Sequence, residues 1–153
     1  MNKWLTGLMI LMSCSALMGE VLADSGSESE AWIAQKAAST CRGMQLYVYD
    51  CETDEEYTVA LTTEETEALR QLVCRMQPYI TEAEGDVDPS EIVELLFLDA
   101  KGECIGFVNI YDVVCEGMPH ANPNLSKVLF VLSKQDFSNW NRLIHQAEQR
   151  IKQ

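Results

Sequence analysis

The 153-residue chain reads as an α+β protein: a mostly antiparallel sheet of about five strands with two or three helices on one face, in the order α-β-β-α-β-β-β-α. Three observations predict this class. Pairs of short runs rich in β-branched and aromatic residues flank polar turns, two stretches repeat apolar residues at the 3.6-residue period, and one strand-to-helix lead-in occurs twice.

Taken in order, Asp24 to Glu30 is small, polar and charged, as expected of a flexible leader to a single domain over residues 31–153. A short helix is expected over Ala31 to Ser39. Met44 to Asp50 and Tyr57 to Leu61 flank the polar segment Cys51 to Glu56, which predicts a hairpin. Ile92 to Leu98 and Cys104 to Tyr111 predict a second, joined through Asp99-Ala-Lys-Gly-Glu103 with Gly102 available for a positive φ.

Two helices follow from periodicity. Leu69, Leu72, Val73 and Met76 recur at i, i+3, i+4 and i+7, and Pro78 is expected to stop that helix. Phe137, Trp140, Ile144, Ala147 and Ile151 form a stripe that predicts a core-facing C-terminal helix. Both helices share an approach. Val59-Ala-Leu61-Thr62-Thr-Glu-Glu65 through Leu69, Leu72 and Val73 aligns without gaps on Phe130-Val-Leu132-Ser133-Lys-Gln-Asp136 through Trp140, Leu143 and Ile144. In each copy a strand ends in Leu, a hydroxyl residue can cap the helix, and an acid three residues later can return the bond as a capping box. The match fits either an old duplication or the physical demands of any strand-to-helix junction.

The first 23 residues have the anatomy of a secretory signal peptide: Lys3 in the n-region, an apolar h-region from Leu5 to Met18, and Val21-Leu22-Ala23 as cleavage site. The mature chain is expected to start at Asp24 and to be exported, periplasmic or secreted. A membrane span would need about 20 consecutive apolar residues, and here Thr6, Gly7, Ser13 and Ser15 interrupt a shorter run ahead of Glu20. The rival processing site is Cys14, where Leu11-Met12-Ser13-Cys14 resembles a lipoprotein box. Met12 departs from the small residue usual there, so cleavage after Ala23 is favoured over a lipid anchor at Cys14.

Removing Lys3 and Glu20 leaves 10 basic and 23 acidic residues, so the mature net charge stays at −13. Such a chain repels phosphate backbones and anionic lipid surfaces, which excludes nucleic acid as the natural partner. The imbalance is uneven. Asp24 to Ser126 holds 21 acidic and 5 basic residues, whereas Lys127 to Gln153 holds 2 acidic and 5 basic. The acidic part can steer a cationic partner, or serve as the solvated surface of an exported protein.

Cys41, Cys51, Cys74, Cys104 and Cys115 remain after cleavage, an odd number, in a compartment that permits disulfides. Strand rise of about 3.3 Å per residue forbids the local pairs Cys41–Cys51 and Cys104–Cys115 across the strands they flank. Cys74 falls on the polar side of its helix with Glu67 and Arg70, and a disulfide to another segment is expected there, with a partly exposed thiol or an intermolecular bridge as alternatives. At least one disulfide is expected overall.

The candidate chemistry lies in the irregular stretch Asp112 to Ser126. Cys115, Met118 and His120 are soft ligands that could hold Cu(I), and Cys115 with His120 could also be written as nucleophile and base. The spacing supplies no second ligand pair and no oxyanion hole. His145 points away from its helix stripe into solvent. The acidic runs Asp50 to Glu56 and Glu82 to Asp88 invite calcium, but neither has the frame of an EF-hand loop, and both read as hydrated turns. A two-carboxylate hydrolase remains compatible with so many acids. Asn124-Leu-Ser126 is a glycosylation sequon. With no complete catalytic constellation and no cofactor motif, the sequence points to a non-enzymatic binding module acting on another protein; the competing class is an exported metal protein or thiol enzyme built on Cys115 to His120.

Overall fold

The structure, a computed structural model, describes residues 28–80, 89–117 and 128–151. Its helices are α1 (Glu28–Thr40), α2 (Thr63–Arg75) and α3 (Lys134–Ile151). Its strands are β1 (Gly43–Asp50), β2 (Glu55–Ala60), β3 (Gln77–Ile80), β4 (Glu91–Leu98), β5 (Cys104–Asn109), β6 (Val113–Cys115) and β7 (Val128–Leu132), with a 3-10 turn at Ile110–Asp112 between β5 and β6.

The mixed α+β class is as expected, but the strands divide into two sheets. The larger is fully antiparallel in the order β2-β1-β4-β5. The smaller, in the order β3-β7-β6, pairs β3 with β7 antiparallel and β6 with β7 parallel. Helix α1 begins at Glu28, inside the segment expected to be flexible leader. Helix α2 ends at Arg75, and Pro78, expected as a helix stop, lies within β3, an edge strand where its missing N–H costs no ladder bond. The strand expected to reach Tyr111 ends at Asn109, where the Asn109 side chain accepts the Tyr111 N–H and starts the 3-10 turn.

Register assigns the faces of the large sheet. Val59, Leu46, Leu95 and Val108 stand opposite one another across its four strands, as do Met44, Phe97 and Gly106 across three. These rows meet Ala34, Ala37 and Ala38 of α1, Leu69, Leu72 and Val73 of α2, and Trp140, Leu143, Ile144 and Ala147 of α3 in one core. Alanines on α1 let its backbone come close to β5. A Cβ added at Gly106 would stand 2.6 Å from Ala37 Cβ, so only glycine fits there.

The alternate rows face away from that core. Thr58, Tyr47, Glu94 and Asn109 form one, and Ala60, Gln45, Leu96 and Phe107 the next. The strand period of two thus puts a glutamate and a tyrosine in the middle of the opposite face.

At both repeated junctions the predicted hydroxyl takes the N–H three residues on, and the first also makes the return bond from the acid. Thr62 Oγ1 accepts the Glu65 N–H at 3.2 Å, and Glu65 Oε2 accepts the Thr62 N–H at 2.8 Å, a complete capping box. Ser133 Oγ accepts the Asp136 N–H at 3.2 Å. The two helices then exchange arginines. Arg150 near the end of α3 donates to Glu65 at 2.8 Å, and Arg75 at the end of α2 makes two bonds of 3.0 Å to Asp136. Each cap acid is therefore held by the far end of the other helix. No helix among the described residues is long and apolar enough to cross a membrane.

Candidate functional site

Of the three ligands expected from the sequence, Cys115 is the last residue of β6 and is buried opposite Leu132. Met118 and His120 lie outside the described residues, as do the acidic run 82–88 and the sequon at Asn124. Among the described residues no group of three or more His, Cys, Asp or Glu side chains is placed to hold a metal ion. His145 is exposed beside Glu148, as expected.

All five cysteines of the expected mature chain are free thiols, and the expected disulfide is not formed. Their placement explains this. Cys51 lies in the exposed hairpin turn and Cys74 on the exposed side of α2, while Cys41 is buried with its Sγ 3.2 Å from the Ala38 carbonyl. Cys104 Sγ contacts the Gly106 carbonyl at 3.4 Å, and Cys115 sits in the other sheet. Both local pairs excluded by strand length are indeed separated by their strands.

A surface hollow of about 560 Å³ lies at the end of α1, lined by Ser39, Thr40, Cys41, Arg42, Glu67 and Arg70. Arg70 Nη1 stands 3.0, 3.2 and 3.1 Å from the carbonyl oxygens of Ala38, Ser39 and Cys41, and its Nε bonds Glu67. This arginine closes the helix by taking up its last carbonyls. The hollow is the outer side of a helix cap, and burial pushes the Cys41 thiol above its ordinary value, which quenches its nucleophilicity.

The chemistry gathers at the opposite end of the large sheet. Asp50, at the end of β1, stands in register with Glu55 of β2 and Glu91 of β4, so three carboxylates share that edge. Asp50 Oδ1 accepts the N–H groups of Glu52 and Thr53, which orders the turn and holds its carboxyl below the usual range. Three tyrosine hydroxyls then donate to carboxylates: Tyr49 to Asp54 at 2.5 Å, Tyr57 to Glu55, and Tyr111 to Glu91 at 2.9 Å. The bond to Asp54 pushes Tyr49 up to about 12, and burial with the bond to Glu91 does the same for Tyr111. These hydroxyls stay protonated and remain donors. The rings of Tyr57 and Tyr111 stay 38% and 46% exposed.

Three residues along β4 from Glu91, and so on the other face of the sheet, stands Glu94. It is 6% exposed, the one charged residue buried among the described residues. Burial, and then the nearby Asp112 carboxylate, raise its carboxyl to about 7. Sequence reasoning placed Glu94 in a strand and passed over it. The available signal was its position as the single charge inside Ile92-Val-Glu-Leu-Leu-Phe-Leu98, a run that otherwise reads as a fully buried strand.

No known family, curated protein or solved structure matches the chain. Its function must therefore be argued from this geometry.

Proposed function

We propose that the protein is a small exported, non-enzymatic binding module, and that its partner is a basic segment of another protein taken by the acidic, tyrosine-bearing end of the large sheet. The observation that carries this reading is the set of three tyrosine–carboxylate hydrogen bonds at one sheet end, made by Tyr49, Tyr57 and Tyr111. Carboxylates fixed by tyrosine hydroxyls are acceptors already oriented for lysine or arginine, so a partner orders few side chains of this protein on docking. The exposed rings add flat apolar area and cation–π contact at low entropic cost. A net charge of −13 draws cations from a distance, and the signal-peptide anatomy of residues 1–23 supports an exported address.

The test is titration calorimetry of the mature chain with an arginine- and lysine-rich peptide and with an acidic peptide of equal length, at low salt. The basic peptide should bind, with affinity that falls as salt rises. Replacing Glu55→Gln and Glu91→Gln together should weaken it about tenfold, or about 0.7 kcal/mol for each exposed carboxylate. Equal binding of the two peptides would overturn the reading.

A further inference from the structure

An open sheet edge offers unpaired N–H and C=O groups to any other strand, and proteins blunt such edges with proline, bulges, short length or charge. Among the described residues the two sheets have four edges, β2 and β5 in the larger and β3 and β6 in the smaller. Three of them carry a structural device. β5 is bulged at Ile105, the residue left over where Phe97 pairs with Gly106 and Leu98 with Cys104. β3 contains Pro78, and β6 is three residues long. β2 has none of these: its six residues pair with β1 in unbroken register, include no proline, lysine or arginine, and are exposed except for Val59. Its outward groups follow from the ladder. One step beyond the Gln45–Ala60 pair, the Leu61 N–H donates to the Met44 carbonyl at 3.0 Å, so hydrogen-bonded pairs recur at Val59–Leu46 and Tyr57–Val48. The Cys51 N–H, which donates to the Ser90 carbonyl on the β4 side at 2.9 Å, fits the same alternation along β1. The N–H and C=O groups of Glu56, Thr58 and Ala60 therefore point away from β1, along the free edge.

We propose that β2 takes the basic segment as an added strand: the partner's extended backbone pairs with Glu56, Thr58 and Ala60 while its cationic side chains meet Glu55 and Glu56. This rests on the preceding reading and gives it a mode of docking. Side chains alternate between the faces of a strand, so Glu55 and Tyr57 lie on one face of the edge and Glu56 and Thr58 on the other. Two successive basic residues of the incoming strand then straddle the edge. One stands beside Glu56 and the next beside Glu55, whose carboxylate the Tyr57 hydroxyl already holds. Acidic charge is the one guard this edge keeps, and it is selective. It turns away a second copy of a chain whose net charge is −13, and it admits a basic strand. Main-chain bonds supply the affinity and the charges on alternate faces choose the partner, as in strand addition generally.

The decisive experiment is amide hydrogen exchange, read residue by residue by NMR on the mature chain alone and saturated with the same lysine- and arginine-rich peptide. In the free chain the Tyr57 and Val59 N–H groups should be protected by β1, and those of Glu56, Thr58 and Ala60 should exchange freely. With peptide bound, these three should slow by about tenfold or more. Thr58→Pro removes the central outward N–H and no bond to β1, so it should keep the circular dichroism spectrum and weaken binding about tenfold, at low and high salt alike. Thr58→Ala keeps that N–H and should bind as wild type does. If the peptide binds while the three outward amides still exchange at their free rate, or binds Thr58→Pro as tightly as wild type, strand addition is wrong and the basic-segment reading survives. If Thr58→Pro does not fold, exchange on the wild type decides alone. A dimer that protects the same three amides before peptide is added would make a second copy the occupant and overturn the proposal. If wild type does not bind the peptide, this proposal and the preceding reading fall together.

Discussion

The two strand-to-helix units, β2 into α2 and β7 into α3, start from aligned sequences and end in different surroundings. At the junction they agree: a hydroxyl cap accepts from the acid three residues on, and the buried stripes Leu69, Leu72, Val73 and Trp140, Leu143, Ile144 enter the same core. Their strands disagree. β2 is an exposed antiparallel edge paired with β1 alone, whereas β7 is the centre of its sheet, antiparallel to β3 and parallel to β6. A short sequence can therefore dictate where a helix starts and which face it buries, because both are local. It does not dictate strand partners, which are chosen by segments far away in the chain.

The largest expected effect separates the two stripes. Leu69 and Trp140 occupy equivalent positions and both are fully buried. Trp140→Ala should cost about 3 to 5 kcal/mol and Leu69→Ala about 2 to 5, the tryptophan more because it leaves the larger cavity. Urea unfolding monitored by far-ultraviolet circular dichroism measures both. A loss below about 1 kcal/mol at either site would show that the two stripes do not share one core.

The arginine exchange should break unequally. Arg150 and Glu65 have side chains 34% and 16% exposed, against 51% and 20% for Arg75 and Asp136, so the first pair is better shielded from solvent. Arg150→Ala should cost about 1 kcal/mol and Arg75→Ala about half of that. Glu65 also gives the pair a pH signature. Burial raises its carboxyl, but the Thr62 N–H and Arg150 outweigh burial and hold it below the ordinary glutamate value of 4.5. Its charged form is the stabilising one, so its contribution is present above about pH 4.5 and is lost as pH falls through its folded value. Glu94 behaves in the opposite sense: its carboxyl is raised to about 7, so its contribution is full below the ordinary value and is lost as pH rises toward neutrality. In acid titration of thermal stability, Arg150→Ala should flatten the fall below pH 4.5.

This contrast also shows what could be read from the chain. The first hairpin, both caps, the positive φ at Gly102 and the two stripes were legible because each depends on residues within a few positions of one another. Strands β3 and β6 were not: one is four residues long and contains Pro78, the other is three residues inside a stretch that reads as loop, and both exist by pairing with β7. Glu94 escaped for the same reason. Its strand was plain, but only register sets Tyr47 opposite it, and its raised pKa owes first to burial and then to Asp112, 18 residues on. The soft-ligand proposal for Cys115, Met118 and His120 reaches the described residues through Cys115 alone.

The caps should break unequally as well. Thr62 Oγ1 accepts the Glu65 N–H, the Thr62 N–H donates to the Glu65 carboxylate, and that carboxylate also accepts from Arg150. Removing the hydroxyl by Thr62→Ala leaves an orphan N–H at the start of α2 and loosens the acid that Arg150 needs, so the loss should be about 1 to 2 kcal/mol. At Ser133 the bond from the Asp136 N–H is 3.2 Å, while Asp136 is held chiefly by the two bonds from Arg75. Ser133→Ala should cost about 0.5 to 1 kcal/mol, since the arginine still anchors the acid. The difference has a direct check in a double-mutant cycle. Thr62→Ala combined with Arg150→Ala should cost less than the two single losses together, because both act through Glu65. Ser133→Ala combined with Arg75→Ala should be nearly additive. Equal coupling in both cycles would mean that the two junctions are energetic copies as well as sequence copies, and that their different strand partners leave no trace in how the helices begin.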